Sequence, residues 1–595
     1  MKILFMARHF GCLRNYERAI FRLAERGHRL HLVAQTDDIL NGLPMVTRWA
    51  SEQPAITCER LPDIEEDPSA EFKRRLRLMG DYLRYLEPAY AGTPKLEERA
   101  RLRTPRPVLT LASLPGGRSR LVRHAAGALI RAAERAVPRP GYIDAYIRSQ
   151  RPDVALFTPL VGLGSEEQDY LDAAVSMGVR SIFCVWSWDN LSSKALLRTI
   201  PDAVTVWNET QQREAVDLHA VPPSRVIVTG AQSFDQWFGR TPTRSRETFC
   251  ARVGLPADRP FLLWVCSSLL KGSQPEAPFV VRWLQAIRAS SEPALQGLPV
   301  LIRPHPSRQK EWREVDLGVL GPVSLWGANP IDAEAKADYF ESLHYSAAVV
   351  GLNTSAFLEA AIVGRPVYTV LLPEMYENQE GTLHFHYLLN LEGGLLHAAR
   401  DMAAHLADLA RAVQEPEASA ARSVRFVKRF IRPAGLDVES TGRFVEAVER
   451  VATGPARAAR LQSPFAVPFR RLMVSVSQRA ALPESRVRRW LLSPREAVVD
   501  EKRSARIAAD RAARAARVAE REEAMRQHRL RKEQARIEWL ARKAQQSQNR
   551  SVAGRAAAWL LRYHPGRVAV RVFRRARFWA GTTKNKLRLA LGRRS

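Results

Sequence analysis

The chain has 595 residues, too many for one hydrophobic core, and its 46% hydrophobic content is that of a folded protein, so two α/β domains with added material are expected. Its net charge of +29 is unevenly held: residues 451–595 carry 36 Lys and Arg against 10 Asp and Glu, a net +26, whereas residues 1–450 carry 55 against 52, a net +3. Five scattered cysteines (Cys12, Cys58, Cys184, Cys250, Cys266) lack C-x-x-C spacing and so exclude a zinc ribbon or a disulfide framework, and no run of about 18 apolar residues offers a membrane span.

In chain order, Lys2 to Ala7 predicts a buried strand, Arg8 to Asn15 a polar loop, Tyr16 to Arg26 a helix with Ala19, Ile20, Leu23 and Ala24 on its apolar face, and Leu30 to Ala34 the next strand. This opening is Rossmann-like but has no G-x-G-x-x-G, so a dinucleotide cofactor is not expected. From about residue 68 to 140 the pattern changes to basic helical segments broken by Pro94, Pro105, Pro107 and Pro115, an insertion in the first domain. Phe72, Leu76, Met79, Leu83 and Leu86 recur there at helical spacing among Lys73, Arg74, Arg75, Arg77 and Arg84, which suits packing on the body or a surface for a lipid-linked acceptor. Strands follow at Asp153 to Thr158, Arg180 to Trp186, Pro201 to Trp207 and Arg225 to Thr229, alternating with helices at Gln168 to Met177 and Thr210 to His219, and the first domain closes near residue 240. The loop Trp186-Ser187-Trp188-Asp189-Asn190-Leu191-Ser192-Ser193-Lys194 stands at a strand's carboxyl end, where aromatic faces can stack on sugar rings and Asp189 and Asn190 can bind hydroxyls; an Asx turn is the structural alternative.

In the second half, the strand Phe261 to Cys266 runs into Ser267-Ser268, and Pro278 to Ser290 is helical. The strand from Val300 ends in Arg303-Pro304-His305-Pro306, where two prolines fix the backbone around the imidazole and Arg303 adds charge for a phosphate. Asp338 to Tyr345 is a helix, and Ala347 to Gly351 a strand that turns through Leu352-Asn353-Thr354-Ser355 into a helix bearing Glu359. Asn353, Thr354 and Ser355 occupy the N-cap region, a hydroxyl-rich tip whose free N–H groups suit an anion, and Glu359 follows one turn later as an acceptor for sugar hydroxyls. A strand from Val367 to Leu372 comes next; His384 and His386 alternate with aromatics and point to shape or donor contact, with no metal expected. Asp401 to Ala412, Phe426 to Pro433 and Leu436 to Val451 supply the remaining helices.

Four of these stretches, Arg14 to Glu17, Trp186 to Lys194, Arg303 to Pro306 and Tyr345 to Pro373, resemble GT-B glycosyltransferases of the bacterial capsule and surface-polysaccharide type, similar to polysialyltransferase-like and CDP-glycerol glycerophosphotransferase-like enzymes. The resemblance covers residues 1 to about 450, with gaps in the insertion. It implies an α/β GT-B fold: an acceptor domain over 1–240, a nucleotide-donor domain over 241–450 and closing helices that cross back onto the first domain; the basic helical tail expected over 451–595 lies outside the resemblance. It further implies a metal-independent transferase moving a sugar or polyol phosphate from an activated nucleotide donor, with no cofactor, to a glycan or lipid-linked acceptor. In that reading Ser267, Ser268, Arg303, Asn353, Thr354, Ser355 and Glu359 hold the donor, and His305 stabilises the leaving group. Asp189 (general base or hydroxyl ligand), His9, Arg14, Trp188 and Asn190 serve the acceptor.

Two other classes stay open: a nucleotide-sugar epimerase of the same fold, and a non-catalytic scaffold on membrane or RNA. In the tail, Glu501 to Gln545 has the composition of one long helix, and from Ser551 aromatic and aliphatic residues interleave with Arg and Lys as on a surface that lies on an anionic bilayer. RNA is the rival for that charge, without a nucleic-acid motif behind it. The opening strand is cut short by Arg8-His9 before it could serve as a signal peptide, so the expected location is cytoplasmic, peripheral on the inner face of the membrane.

Overall fold

The computed structural model describes residues 1–36, 42–61, 67–269, 273–330, 332–415, 420–455, 467–482, 485–491, 523, 526, 527 and 530–538. Two parallel sheets dominate it. The first has seven strands, β1 (Lys2–Ala7), β2 (Arg29–Ala34), β3 (Ile56–Arg60), β4 (Val154–Thr158), β5 (Arg180–Cys184), β6 (Ala203–Val206) and β7 (Val226–Val228), in the order β3-β2-β1-β4-β5-β6-β7. The second has six, β8 (Leu262–Val265), β9 (Val300–Arg303), β10 (Val323–Leu325), β11 (Ala348–Val350), β12 (Val367–Val370) and β13 (Leu396–Ala399), in the order β10-β9-β8-β11-β12-β13. The central strands are covered on both faces, which is why they read as continuous apolar runs: Leu4, Met6, Ala155 and Phe157 pack to one side of the first sheet, Ile3, Phe5, Val154 and Leu156 to the other. These are two doubly wound lobes of the GT-B arrangement.

In each sheet the strand order reverses once, between β1 and β4 and between β8 and β11. At such a switch point adjacent crossovers leave in opposite directions and open a crevice beyond the carboxyl ends of the strands. Those ends carry Arg8-His9 in the first lobe, and Ser267-Ser268 and Asn353-Thr354-Ser355 in the second. After β13 the helix Ala420–Phe430 packs in the second lobe through Phe426, Val427 and Phe430, and the helix Ser440–Thr453 then packs in the first through Phe444, Val445 and Val448. The crossing is tied by Asp235, which accepts from Thr441 N at 2.6 Å and from Arg432 Nη2 at 2.7 Å. Gly230, at φ +85°, lets the outgoing strand pass there: a Cβ on it would stand 2.2 Å from Ser440 Oγ.

The insertion forms the helices Pro68–Tyr85, Pro94–Arg101, Arg106–Ser113 and Arg120–Ala136. The first opens on an Asp67 cap whose side chain accepts from Ser69 N at 2.7 Å, with Pro68 following it. Several of its basic residues turn inward. Arg77, 0% exposed, donates to Glu134 Oε1 and Asp169 Oδ1 at 2.8 Å each and to the Ser165 carbonyl at 2.7 Å, and Lys73 Nζ lies 2.5 Å from Asp169. Burial alone would raise the Asp169 carboxyl, but Arg77 and Lys73 hold it down at about 2. On this helix, packing on the body is therefore the outcome.

The sequence placed the start of the basic tail at 451. Within that stretch the helices Val467–Ala481 and Arg486–Leu491 cover the insertion: Leu491 lies in its core, Phe469, Met473 and Val476 pack against it partly buried, and the Leu491 carbonyl accepts from Arg75 Nη1 at 3.0 Å. Residues 530–538 are helical; the rest of the proposed long helix, apart from 523, 526 and 527, and the amphipathic stretch from Ser551 lie outside the described residues. Among the described residues no helix is long and apolar enough to cross a membrane.

Candidate active site

A cleft of about 740 Å³ opens where the two switch points face each other. Of the residues expected to serve the site, Arg14, Trp188, Asp189, Ser268, Arg303, His305, Asn353, Thr354, Ser355 and Glu359 line it; His9, Asn190 and Ser267 do not.

On the second lobe the end of β9 supplies a cation. Arg303 is only 5% exposed, its guanidinium lies 5.0 Å from the Tyr339 ring centroid, and its carbonyl contacts are long, 3.4 Å to Ala328 and 3.5 Å to Asp338. Among the described residues no carboxylate stands within ion-pair distance of it, and burial pushes its pKa down. Gly327, at φ +139°, gives it room, since a Cβ there would lie 2.7 Å from Cζ. Beyond it the imidazole is fixed as the flanking prolines lead one to expect: His305 Nδ1 accepts from Ser307 N at 3.3 Å and lies 2.8 Å from Ser307 Oγ. That bond leaves the proton on Nε2. Burial, then the charges of Arg308 and Arg14, push the ring's pKa down, so at neutral pH it is an uncharged hydrogen-bond donor.

Glu359 sits across from these cations and accepts the Tyr339 hydroxyl proton in a hydrogen bond. Burial lifts its carboxyl to about 7, against the pull of Tyr339, Arg14 and Arg303. Arg14 thus reaches from the first lobe into the field of Glu359, Tyr339 and His305, on the donor side and not, as expected from the sequence, on the acceptor side.

The hydroxyl-rich tip differs from its expected form. Ser355, at the N-cap position, has αR backbone (φ −63°, ψ −20°) and makes no side-chain cap bond, and the helix behind it, Ala356–Ile362, is seven residues long. Asn353 N is already bonded to Ser267 Oγ at 3.1 Å, and Asn353 Nδ2 donates to the Asn378 carbonyl at 2.5 Å. Ser267 is 0% exposed and its own N donates to Glu276 at 2.7 Å, a carboxyl that also accepts from Trp264 Nε1 at 3.1 Å. Ser267 is therefore a brace between two loops and not a donor ligand, while Ser268 and Ser355 are exposed to the cleft.

On the first lobe Asp189 pairs with Lys194 Nζ at 2.8 Å and accepts from Ser187 Oγ at 2.8 Å. Burial would raise its carboxyl, but Lys194, His384 and Ser187 hold it well below the usual carboxylate range. A carboxylate whose charge Lys194 and Ser187 already meet suits binding a hydroxyl better than taking its proton. Asn190 is buried, with Oδ1 accepting from Trp186 N at 3.1 Å and Ser187 N at 3.2 Å; it ties the loop back onto its own backbone and does not line the cleft. His9 lies with its ring against Cys12, Nε2 to Sγ 3.5 Å, and does not line the cleft.

His384, which the sequence offered as a shape or donor contact, and two arginines that it did not single out complete the cleft. His384 is buried, its Nδ1 lies 3.0 Å from Ser193 Oγ, and its Nε2 lies 3.4 Å from Asn353 Nδ2. The Trp188 ring stands edge-on to it with centroids 4.7 Å apart, and burial pushes its pKa down to about 4. Arg99 and Arg103, from the insertion, line the same wall. Their distance in sequence from every other lining residue gave no local signal, whereas His384 was visible as half of an aromatic-spaced pair. Among the described residues no group of three His, Cys, Asp or Glu could hold a metal ion.

No protein-family model and no curated protein matches the sequence. Solved structures do match in part. One is a putative UDP-N-acetylglucosamine 2-epimerase from Listeria monocytogenes, 12% identical over 78% of this chain and 99% of that one, TM-score 0.43. Another is a UDP-GlcNAc 2-epimerase from Neisseria meningitidis bound to UDP-GlcNAc, 10% identical over 76% and 100%, TM-score 0.43. A third is a glycosyltransferase from Rickettsia africae, 10% identical over 76% and 99%, TM-score 0.42. Likenesses this distant decide nothing about the reaction; the fold rests on the two sheets themselves.

Proposed function

We propose that the protein is a glycosyltransferase that takes a sugar or polyol phosphate from a nucleotide-activated donor and passes it to a hydroxyl of a surface-polysaccharide or lipid-linked acceptor. The observation that carries this reading is Arg303: a cation buried at the end of β9, with no carboxylate within ion-pair distance among the described residues, beside a proline-fixed neutral imidazole. Taking a charge out of water is costly unless an opposite charge meets it, and a diphosphate in the cleft would supply that charge. Arg14, Arg303 and the Nε2–H of His305 then oppose the charge that grows on the departing nucleotide, more strongly than they would in water. Ser268, Thr354 and Ser355 offer hydroxyls to the same group, and Glu359 accepts from donor hydroxyls. Trp188 and the ionised Asp189 position the acceptor.

The test is a thermal-shift screen against UDP, CDP, GDP, ADP and TDP. At least one should raise the melting temperature of the native chain, and Arg303→Gln and His305→Ala should lose the shift. A chain that none of them stabilises is a scaffold and not this enzyme. Glu359 favours a second reading: a carboxyl near pKa 7 beside the donor site could exchange a proton with the sugar itself, as an epimerase requires. Incubation of the protein with the donor alone separates the two, since only an epimerase yields an isomerised sugar nucleotide.

A further inference from the structure

Apart from Lys336, paired with Glu17 at 3.6 Å, and Arg240, which lies over the Trp237 and Phe340 rings, the positive charge of the cleft falls into two groups. Arg14 and Arg303 face Glu359 and Tyr339 on the donor side. Arg99 and Lys194 stand near His384 and Asp189, and Arg103, next to Arg99, lines the same cleft. In this second group Lys194 is matched by Asp189 at 2.8 Å, which leaves two guanidinium groups over. Arg99 Nη2 donates to the Ser193 carbonyl and lies 3.1 Å from the Tyr85 hydroxyl, while its Nε is buried without a partner. Arg103 makes no side-chain bond and no ion pair among the described residues, and the charges nearest to it are all cations: Arg99, then Arg74 and Arg8. The last two are neutralised, Arg74 by Glu71 at 2.6 Å and Arg8 by Glu167 at 2.7 Å.

Crowding like charges on the wall of a cleft costs stability unless an anion joins them, and a guanidinium fork fits the paired oxygens of a phosphate or carboxylate. We propose that Arg99 and Arg103 form a second anion site, separate from the one for the donor diphosphate, and that the acceptor is an anionic molecule which docks there by a phosphate ester or carboxylate while a hydroxyl of it lies against Asp189. This rests on the assignment of Arg14 and Arg303 to the donor. The insertion thereby acquires a task in substrate selection: it brings charge to the acceptor wall that the two lobes do not themselves provide.

Titration calorimetry on the full chain tests it, with the donor half saturated by the nucleoside diphosphate that stabilises best in the screen. Glycerol 3-phosphate and glucuronate, a phosphate and a carboxylate probe, are compared with neutral glycerol and glucose. One of the two anions should bind at least about tenfold more tightly than its neutral partner, and which one does identifies the group. Arg103→Gln should lose that preference and keep nucleotide affinity within about twofold, and Arg303→Gln should do the reverse. Arg103 is exposed, so the variant should fold; Arg103→Glu, which reverses the charge, is the second variant and should abolish anion binding altogether. The site does not exist if both anions bind no better than their neutral partners, if they compete with the nucleotide, or if both Arg103 variants bind them as the native chain does. Should no nucleotide bind while an anion still binds through Arg103, the second site stands and the transferase reading falls.

Discussion

Two buried arginines, one in each lobe, show how the same side chain can serve structure or function. Arg77, in the insertion of the first lobe, meets two carboxylates and a carbonyl within 2.8 Å. Arg303, in the second lobe, is nearly as buried, yet it has only two long carbonyl contacts and an aromatic face, and its open side gives onto the cleft. A satisfied buried charge locks packing, because removal of either partner strands the other. An unsatisfied one at the mouth of a crevice is a charge kept for a ligand. The contrast separates the basic residues of the insertion, which the sequence alone shows as one population, into those that hold it to the body and those, Arg99 and Arg103, that face the cleft.

The sharpest break of this contrast is its mirror pair of substitutions. Arg77→Met strands Asp169 and Glu134 and should lower unfolding free energy in urea by about 3–5 kcal/mol, whereas Arg303→Met should leave stability within about 1 kcal/mol and abolish the nucleotide-induced shift. Equal destabilisation by both would erase the distinction.

A smaller effect lies in pH. Glu359 has a folded-state pKa of about 7, above the ordinary carboxyl value, so between those two values the native state binds more protons than the unfolded chain and stability falls as pH rises. A negative Glu359 also opposes a diphosphate beside Arg303. Nucleoside diphosphate affinity should therefore fall as pH climbs through 7, and Glu359→Gln should flatten the profile; an unchanged slope would place the titrating group elsewhere. Asp169 behaves oppositely, with a folded pKa of about 2 whose stabilisation is present above the ordinary carboxyl value and fades as pH drops toward 2.

The smallest effect belongs to the brace between β8 and β11. Ser267→Ala leaves Asn353 N without its acceptor and should cost about 1–3 kcal/mol in stability, with nucleotide affinity weakened only through the shifted Asn353-Thr354-Ser355 turn. A loss of affinity as large as that of Arg303→Gln would make Ser267 a ligand after all.

Of the fold, the strands buried on both faces were legible as apolar runs, and so were the helices between them. The three strands that went unread, β3, β10 and β13, are all edge strands. Ile56–Arg60 and Val323–Leu325 are largely or partly exposed, so neither shows the run of a central strand, and each is a strand because a neighbour offers its hydrogen bonds. Of the site, the prolines beside His305 announced it because their constraint is local. Ser267 and Asn190 were misread because a hydroxyl or amide in a loop looks the same whether it faces a cleft or its own backbone.

The sequence by itself determined two α/β lobes, the crevice loops at their strand ends and a fixed imidazole beside an arginine, since each follows from chain-local periodicity and backbone restriction. Only the tertiary structure decided which charges are met and which are left open. Asp169 lies 92 residues from Arg77, and Lys194 lies 95 residues from Arg99. Whether a cation is satisfied depends on what the fold brings within a few ångströms of it, and no local pattern encodes that.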